Sequence, residues 1–446
     1  MLVLLALFLL WEVVTRSFAA YLADVSPAAA LRLRSTEPMA LLNLADGGLN
    51  RDISAKRAQS VVDSDGKESE PIAKNGEPIS APSDPQGSLT VVAKTQAKYQ
   101  AELALFNDPL NAHAFGILGR LALLAADEGR TEIMMQAASR RSLLESDAIL
   151  WMMQQSYRTQ NYNEAIRYAD VLLRTRPGGG AVPYVMPVLA KIAEDPEASG
   201  ELKRTLAANP PWREKFFSEL NDKVSDGRTP LGLLLSLKGT AAPPSNDELH
   251  DYLNFLISRK FFEPAYYTWL QFLPPEQLRH AGNLFNGGFE FDPSGLPFDW
   301  VLTSTAGVTI KIAPRRDQQE GHALFMKFGP GRVDPPSVTQ LTILAPGGYR
   351  LKGKYQVDID SQRGLQWRIS CANDQGTLLG EGEPLKGSQS VWTDFEFSFT
   401  VPETNCPAQY VRLLFDARWE SEEFISGSIW FDDLQILSEP AVAVTP

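Results

Sequence analysis

The sequence has little of what most catalytic and metal sites are made from. Its 446 residues include two cysteines and four histidines. The histidines are scattered, and none has an acidic or cysteine partner at the spacing of a metal site or a catalytic triad. The Gly-x-Ser-x-Gly, His-Glu-x-x-His and phosphate-loop patterns are also missing from the sequence. We therefore expect a protein that is not an enzyme, with no catalytic residue and no cofactor.

A surplus of positive charge is missing as well. Forty-two lysines and arginines stand against 54 aspartates and glutamates, which gives a net charge of −12. Binding to phosphates needs clustered Lys and Arg, so this balance excludes nucleic acid as a partner. At about 100–200 residues per domain, the length predicts two or three domains.

The N-terminus is apolar. Residues 1–23 form a run of just over twenty mostly apolar residues, in which Glu12 and Arg16 are four apart and can pair on one helix face. At about 1.5 Å per residue such a helix spans a hydrocarbon core of roughly 30 Å. We expect a single uncleaved anchor in a bacterial inner membrane. A signal peptide cleaved near Ser17-Phe18-Ala19 and a buried soluble helix are the alternatives.

The orientation of this anchor is open from charge alone. No Lys or Arg precedes the apolar run, whereas Arg16, Arg32 and Arg34 follow it. The positive-inside rule then favours a cytoplasmic body. The cysteines, discussed below, favour a periplasmic body, which is the orientation we expect.

Two segments of different composition follow the anchor. Residues 24–50 read as short helices, the first capped by Ser26 with Pro27 at its first position. Residues 51–88 carry mixed charge and almost no large apolar residue after Val61 and Val62. Such a composition does not offset the entropy of ordering, so this segment is predicted to be a disordered tether.

From residue 89 to residue 282 the apolar residues recur at helical spacing. The segment Ser146–Pro177 resembles one tetratricopeptide unit: Asn161–Ile166 matches the start of its second helix, and Pro177 its closing proline. A shift of 34 residues aligns a second unit, and repeats of this family are about 34 residues long. The expected packing residues are Phe115, Leu118, Gly119, Ala138, Ile149, Met152, Tyr162, Ala165 and Pro177.

The sequence departs from the family pattern in several places. Thr131 stands where the family has alanine, and Leu143 where it has the closing proline. After Pro177 the pattern degrades, up to a last helical pair that Ser245 is placed to cap. We expect an irregular α-solenoid of four or five helix pairs, and the resemblance implies that it binds a partner protein.

The chain changes character at residue 283. Up to residue 438, apolar and polar residues alternate with a period of two between turns rich in Gly and Pro, most clearly from Tyr349 to Ile359. This pattern predicts an antiparallel β-sandwich, followed by a tail over residues 439–446. The expected fold class is therefore α plus β with several domains: a membrane helix, an α-solenoid and a C-terminal sandwich.

Both cysteines lie in this β region. Cys371 shares the inward face of its predicted strand with Trp367, and Cys406 precedes the next strand. A single pair within one domain predicts a disulfide formed in an oxidising compartment; two free thiols are the alternative.

The two ends of the β region resemble the galactose-binding-like jelly rolls, which include many carbohydrate-binding modules. The opening Asn286-Gly287-Gly288-Phe289-Glu290, with Trp300 after it, looks like their first strand, and Ile429–Ile436 looks like their last. The resemblance implies a structural calcium that ties these strands together, with Glu290 and Asp432 or Asp433 as ligands. In the alternative, these acids simply face solvent.

A glycan site would use aromatic rings, because the C–H faces of sugars stack on them. Trp419 lies in a polar stretch between Arg418 and Glu420 and is the expected contact, whereas Trp367 belongs to the core. Alternatively, Trp419 folds back over the end of the sandwich. A row of polar residues from Arg350 to Gln356 suits an anionic glycan or a plain solvated face.

These features together predict a membrane-anchored adaptor. Its helical repeats bind a partner protein, its jelly roll binds glycan, and by analogy it assists bacterial polysaccharide assembly or export. The alternative is a purely protein–protein scaffold in which the jelly roll is a structural cap. A polysaccharide-active enzyme is the least favoured alternative.

Overall fold

A computed structural model describes residues 2–49, 91–175, 180–315, 321–330, 332–333, 336–372, 376–415, 417, 419, 422 and 424–439. The chain divides into two compact units, Met1–Leu202 and Lys203–Pro446. The predicted tether over 51–88, Pro177, Arg418, Glu420 and residues 440–446 of the tail lie outside the described residues.

The first unit is helical in its described part. Its helices are α1 (Leu2–Val25), α2 (Pro27–Leu33), α3 (38–49), α4 (Val91–Asn107), α5 (Ala112–Leu124), α6 (Glu128–Arg141), α7 (Ser146–Arg158), α8 (Tyr162–Thr175) and α9 (Val182–Glu194). Helix α10 (Ser199–Ala207) spans the border between the two units.

Helix α1 is the apolar N-terminal run. Over Leu4–Val25 it is long and apolar enough to cross a membrane, and a signal sequence has the same length and composition. Glu12 does not pair with Arg16 as its spacing suggested, because its carboxylate lies 3.7 Å from the guanidinium of Arg34. The end of α1 packs through Ala23 against α2 and α3.

Two helix hairpins repeat along the chain with the expected period. Helices α5 and α7 begin at residues 112 and 146, and α6 and α8 begin at 128 and 162, so both pairs are 34 residues apart. Ala138, Ile149 and Ala165 are fully buried as expected. At Gly119, a Cβ atom would lie 2.8 Å from the Met135 sulfur, so the glycine lets α5 and α6 approach closely. This spacing confirms repeated helix pairs, while membership of the tetratricopeptide family stays a prediction.

Helix α3 packs on the helices that follow residues 51–88 in sequence. Leu41, Leu42, Ala45 and Leu49 share one apolar cluster with Ala97, Ala101 and Ala104 of α4 and with Ala114, Ile117 and Leu118 of α5. The predicted tether therefore does not space the N-terminal helices away from the repeats, because the helices on its two sides are in contact.

The second unit begins with helices. After α10 come α11 (Arg213–Lys223), α12 (Thr229–Leu237), α13 (Asn246–Ser258), α14 (Phe262–Phe272) and α15 (Pro275–Leu278). Ser245 caps α13 as predicted and forms a capping box with Glu248. The carboxylate of Glu248 also accepts two hydrogen bonds of 2.7 Å from buried Arg213, and this ion pair fixes α11 to α13.

The β-sandwich has two five-stranded antiparallel sheets in the described residues. The strands are β1 (Val301–Thr303), β2 (Val308–Pro314), β3 (His322–Phe328), β4 (Ser337–Thr342), β5 (Gly347–Ser361), β6 (Leu365–Cys371), β7 (Leu378–Glu381), β8 (Gly387–Val401), β9 (Gln409–Phe415) and β10 (Ile425–Ser438). One sheet has the order β1-β4-β9-β6-β7. The other, which we call the long-strand sheet, has the order β2-β3-β10-β5-β8.

The sandwich core lies between these sheets. Trp300 and Trp367 meet at its centre with ring centroids 5.8 Å apart, so Trp367 is the core residue that its parity predicted. The disulfide between Cys371 and Cys406 is confirmed and closes a separation of 35 residues.

The opening motif of the β region is a turn and not the strand that we expected. Asn286 and Phe289 have φ angles of 49° and 54°, which a strand excludes. The turn is nevertheless fixed to the last strand, since the backbone N–H of Leu434 donates to the Gly287 carbonyl at 2.9 Å. Trp300 donates from its indole nitrogen to the Asn286 carbonyl at the same distance.

Helix α14 and the sandwich belong to one compact unit, and the domain border at residue 283 stays a prediction. The ring of Trp269 meets Phe285 edge to face at 5.0 Å and lies 5.8 Å from Phe298. Because these three rings are buried, the helix and the sandwich share apolar surface.

Candidate functional site

The outer face of the long-strand sheet carries large rings where alternation would place polar residues. Trp430 of β10 points away from the sandwich core, between the core residues Ile429 and Phe431. Its partner in the neighbouring strand is Phe325. The row continues with Lys311 on one side, opposite Phe325, and Gln356 on the other, opposite Trp430. We call this row and the residues packed on it the aromatic face.

The rings of this face are in close contact. The centroids of Phe325 and Trp430 are 4.4 Å apart, and the ammonium of Lys311 lies 5.9 Å from the Phe325 ring. The neighbouring positions on β2 and β3 are the small residues Ala313 and Ala323. Trp392, from the edge strand β8, packs on this cluster and covers it.

A local irregularity of β8 accounts for the direction of Trp392. Its partners shift between the pairs Tyr355–Thr393 and Val357–Gln389, so residues 390–392 of β8 oppose Gln356 alone. A bulge of this kind at a sheet edge re-aims a side chain. Here it directs an indole over the face of its own sheet.

An ion pair is buried beside the rings. The guanidinium of Arg315 lies 4.5 Å from the centre of the Trp392 ring and donates to the carboxylate of Asp432. Both side chains are almost fully buried, with 7% and 4% of their surfaces exposed. Burial, with a smaller part from neighbouring Asp433, raises the pKa of Asp432 to about 6, although Arg315 acts in the opposite direction.

One polar atom of the aromatic face lacks a partner. The indole nitrogen of Trp392 is buried and has no hydrogen-bond acceptor within the described residues. A buried donor without an acceptor costs about 1–3 kcal/mol. A ligand hydroxyl that reached this nitrogen would remove that cost.

Paired charges lie along β5, in the row of polar residues that ends at Gln356. Lys354 donates to Asp433 at 2.8 Å, and this hydrogen bond raises the pKa of the lysine. Arg350 pairs with Glu439 and Glu396, and its hydrogen bond to Glu439 likewise raises its pKa. Two of the three cations in this row are therefore paired with acids of the chain, which weakens the expectation that the row selects an anionic glycan.

Trp419 lies apart in sequence, between β9 and β10. Its side chain is 72% exposed, as the predicted contact residue requires, and it does not fold back as a plug. Phe424, a few residues later, is 58% exposed. The backbone carbonyl of Trp419 accepts a hydrogen bond from the Glu422 N–H at 2.8 Å, and Glu422 pairs with Arg363. Its flanking residues Arg418 and Glu420 lie outside the described residues.

The structure gives separate partners to the two predicted calcium ligands. Asp432 pairs with Arg315, and Glu290 accepts from the His322 backbone N–H at 3.2 Å. In the described part of the chain, no cluster of three or more His, Cys, Asp or Glu side chains could hold a metal ion. The calcium site stays a prediction.

Sequence reasoning missed the aromatic face, although one signal for it was present. Trp430 is an indole that stands out of phase with the apolar residues on both sides of it in β10. The proximity of Arg315 and Trp392 depends on strand order and on the β8 bulge, which alternation in the sequence does not show.

No protein-family model matches this chain, and no curated protein matches it. Among solved structures, a family 16 carbohydrate-binding module is 14% identical, with a TM-score of 0.26, over 35% of this chain and 100% of that one. The CBM22-1 xylan-binding domain of Paenibacillus barcinonensis is 13% identical, with a TM-score of 0.24, over 35% of this chain and 94% of that one. The enzymatically active domain of bacteriophage CBA120 tailspike protein 4 is 15% identical, with a TM-score of 0.27. That match covers 34% of this chain and only 21% of the tailspike chain.

Proposed function

We propose that this protein is a non-enzymatic, membrane-attached adaptor whose β-sandwich binds a neutral or weakly charged glycan on the aromatic face. The observation that carries the proposal is the set of rings formed by Phe325, Trp430 and Trp392 beside the buried Arg315–Asp432 pair. Flat apolar rings next to a few fixed polar groups are the usual composition of a sugar site.

The geometry supports a site that opens when a ligand arrives. Phe325 and Trp430 are only 9% and 8% exposed, and Trp392 packs against the cluster that they form. Trp392 belongs to an edge strand, so its indole can turn outward without disturbing the interior of the sheet. Sugar rings would then stack on Phe325 and Trp430. The indole of Trp392 would lie against the ligand and donate from its nitrogen to a hydroxyl, and Arg315 and Asp432 would meet other hydroxyls.

The rest of the proposal concerns the N-terminus, the helical region and Trp419. Helix α1 attaches the protein to a membrane with its body in the periplasm, the helix hairpins bind a partner protein, and Trp419 is a second glycan contact. Assistance to bacterial polysaccharide assembly or export is the role that this arrangement suits.

The test is binding of the detergent-solubilised full chain to a panel of bacterial polysaccharides, with and without calcium. Trp430→Ala and Trp392→Ala should each weaken retention in an affinity gel at least ten-fold, which is about 1.4 kcal/mol. Val391→Ala is the matched control, because Val391 is a 67% exposed apolar residue of the same strand as Trp392.

The outcomes separate the alternatives. Unchanged binding by both folded tryptophan variants would reject the aromatic face, and loss of binding with Trp419→Ala alone would move the site to the β9–β10 segment. A folded protein that binds no glycan would favour the pure scaffold, in which the sandwich is a structural cap. Shortening of a bound polysaccharide on long incubation would contradict the non-enzymatic assignment.

A further inference from the structure

Helix α3 contacts the repeat as if it were a member of it. Its buried residues Leu42, Ala45 and Leu49 meet both α4 and α5 in one apolar cluster. The first helix of each later hairpin has the same two neighbours: α5 packs on α6 and α7, and α7 packs on α8 and α9. A helix that contacts the second helix of its own pair and the first helix of the next pair occupies a repeat position.

The spacing of the second helices supports the same conclusion. Helices α4, α6 and α8 end at residues 107, 141 and 175, so each ends 34 residues after the one before. Helix α4 is therefore the second helix of a hairpin that precedes the two regular ones. The helix that packs against α4 as the first helix of its pair is α3. Helix α3 ends at residue 49, whereas α4 begins at residue 91.

Charged side chains repeat this equivalence. On α5, His113 contacts Asp46 of α3 and also Glu145 at the start of α7. Arg120, two turns later on α5, contacts the same Asp46 and also Asp147 of α7. His113 and Arg120 thus each connect α3 to the start of α7 through one acid on either side. Helices α3 and α7 therefore flank α5 in equivalent ways.

We propose that α3 is the first helix of a split hairpin and binds the α4–α5 surface as an in-chain ligand. The contact of α3 with that surface, and not the covalent connection through residues 50–90, holds the N-terminal helices on the repeats. Two consequences follow. Cleavage of the connection leaves the two parts associated, and loss of the α3 contact separates them once the chain is cut.

The experiment uses the full chain with an affinity tag inserted after residue 52 and a specific protease site inserted after residue 70. The detergent-solubilised protein is bound through the tag, cut and washed. The fragment that begins after the cut should stay on the resin. Release of this fragment from a protein whose α3 is unaltered would overturn the proposal. Because the tag follows α1, the result does not depend on whether α1 is an anchor or a removed signal.

Variants locate the contact. Leu42→Asp puts a charge at a fully buried position. Asp46→Lys places a third cation next to His113 and Arg120, which now contact the Asp46 carboxylate. Each should lower the retained fragment at least ten-fold. Met39→Asp is the matched control, since Met39 is a 42% exposed residue of the same helix, and it should leave retention unchanged.

Asp46→Lys disturbs folding less than Leu42→Asp, because a quarter of the Asp46 side chain is exposed. The far-ultraviolet circular dichroism of each uncut variant should match that of the unaltered protein. Full retention in both Leu42→Asp and Asp46→Lys would show that some other contact holds the fragments, and would reject α3 as the ligand.

Discussion

The imidazole of His113 lies 2.6 Å from the carboxylate of Asp46, although the two residues are 67 positions apart in the chain. The other ring nitrogen lies 3.0 Å from the Glu145 carboxylate. The hydrogen bonds to Asp46 and then to Glu145 outweigh the effect of burial and raise the pKa of His113 to about 10. At neutral pH the ring is therefore an imidazolium that donates from both nitrogens, and it holds α3 and the start of α7 against α5.

This geometry predicts how the stability of the helical unit depends on pH. The ordinary pKa of histidine is about 6.5, so the folded state binds the His113 proton more tightly than the unfolded state does. The stabilisation is complete below about pH 6.5 and is lost as the pH rises towards 10. Denaturant titrations of the unaltered protein and of His113→Gln, followed by circular dichroism, should give a stability difference that shrinks over this range. A difference that does not change with pH would contradict the imidazolium.

The ionisation of Asp46 determines how the same contact responds to low pH. Burial opposes its ionisation, but the hydrogen bond from His113 and the charge of Arg120 hold the pKa of Asp46 below its usual value. Its contribution is therefore present above about pH 3.9 and is lost as the pH falls further. In the same denaturant titrations, Asp46→Asn should reduce the loss of stability at acid pH without abolishing it, because the pKa of Asp195 in the same unit is also lowered. It should also reduce the alkaline loss, because His113 loses its nearer carboxylate.

Much of the architecture could be predicted because it depends on local periodicity in the sequence. Trp367 and Cys371 lie on one strand and face the core as alternation indicated, and the single pair of cysteines in the β region led to the correct disulfide. Ser245 capped its helix as expected, since capping depends on residues only three positions apart.

The parts that could not be predicted depend on contacts between distant residues. Helix α3 looked like an isolated short helix because its partners, such as Ile117, follow a long polar stretch. The turn at Asn286 looked like a strand because its partner is Leu434, almost 150 residues later. Trp392 is one of nine tryptophans in the sequence, and only the strand order shows which rings it meets.

The turn before β1 offers a test of that long-range contact. A Cβ atom at Gly287 would lie 2.0 Å from the backbone carbonyl oxygen of Leu434, which cannot move without disturbing β10. Gly287→Ala should destabilise the second unit by about 3 kcal/mol, at the upper end of the cost of overpacking. Thermal unfolding measures this loss. Gly288→Ala is the control, because its Cβ would meet only the Glu290 side chain, at 3.9 Å, and it should unfold near the temperature of the unaltered protein.

The disulfide makes a separate prediction for the sandwich. Joining Cys371 to Cys406 closes a loop of 35 residues, and on the chain-entropy model this stabilises the folded state by about 3–4 kcal/mol. The double variant Cys371→Ser/Cys406→Ser should lower the midpoint of the sandwich transition in calorimetry. Reducing agent should shift the unaltered protein in the same direction and leave the double variant unchanged. An equal shift of both proteins by the reductant would show that the effect does not come from this bond.

Trp392 separates stability from binding. Its indole nitrogen is buried without an acceptor in the described part of the chain, so Trp392→Phe removes an unpaired donor and keeps a ring over Phe325 and Trp430. The folded protein should be as stable as before or more stable by up to about 1–3 kcal/mol, less the cost of the smaller ring. If the nitrogen meets a sugar hydroxyl in the complex, the same variant should bind glycan several-fold more weakly. Calorimetric unfolding and affinity gels on one preparation measure both effects. A variant that loses stability and keeps its full affinity would assign the indole to packing alone.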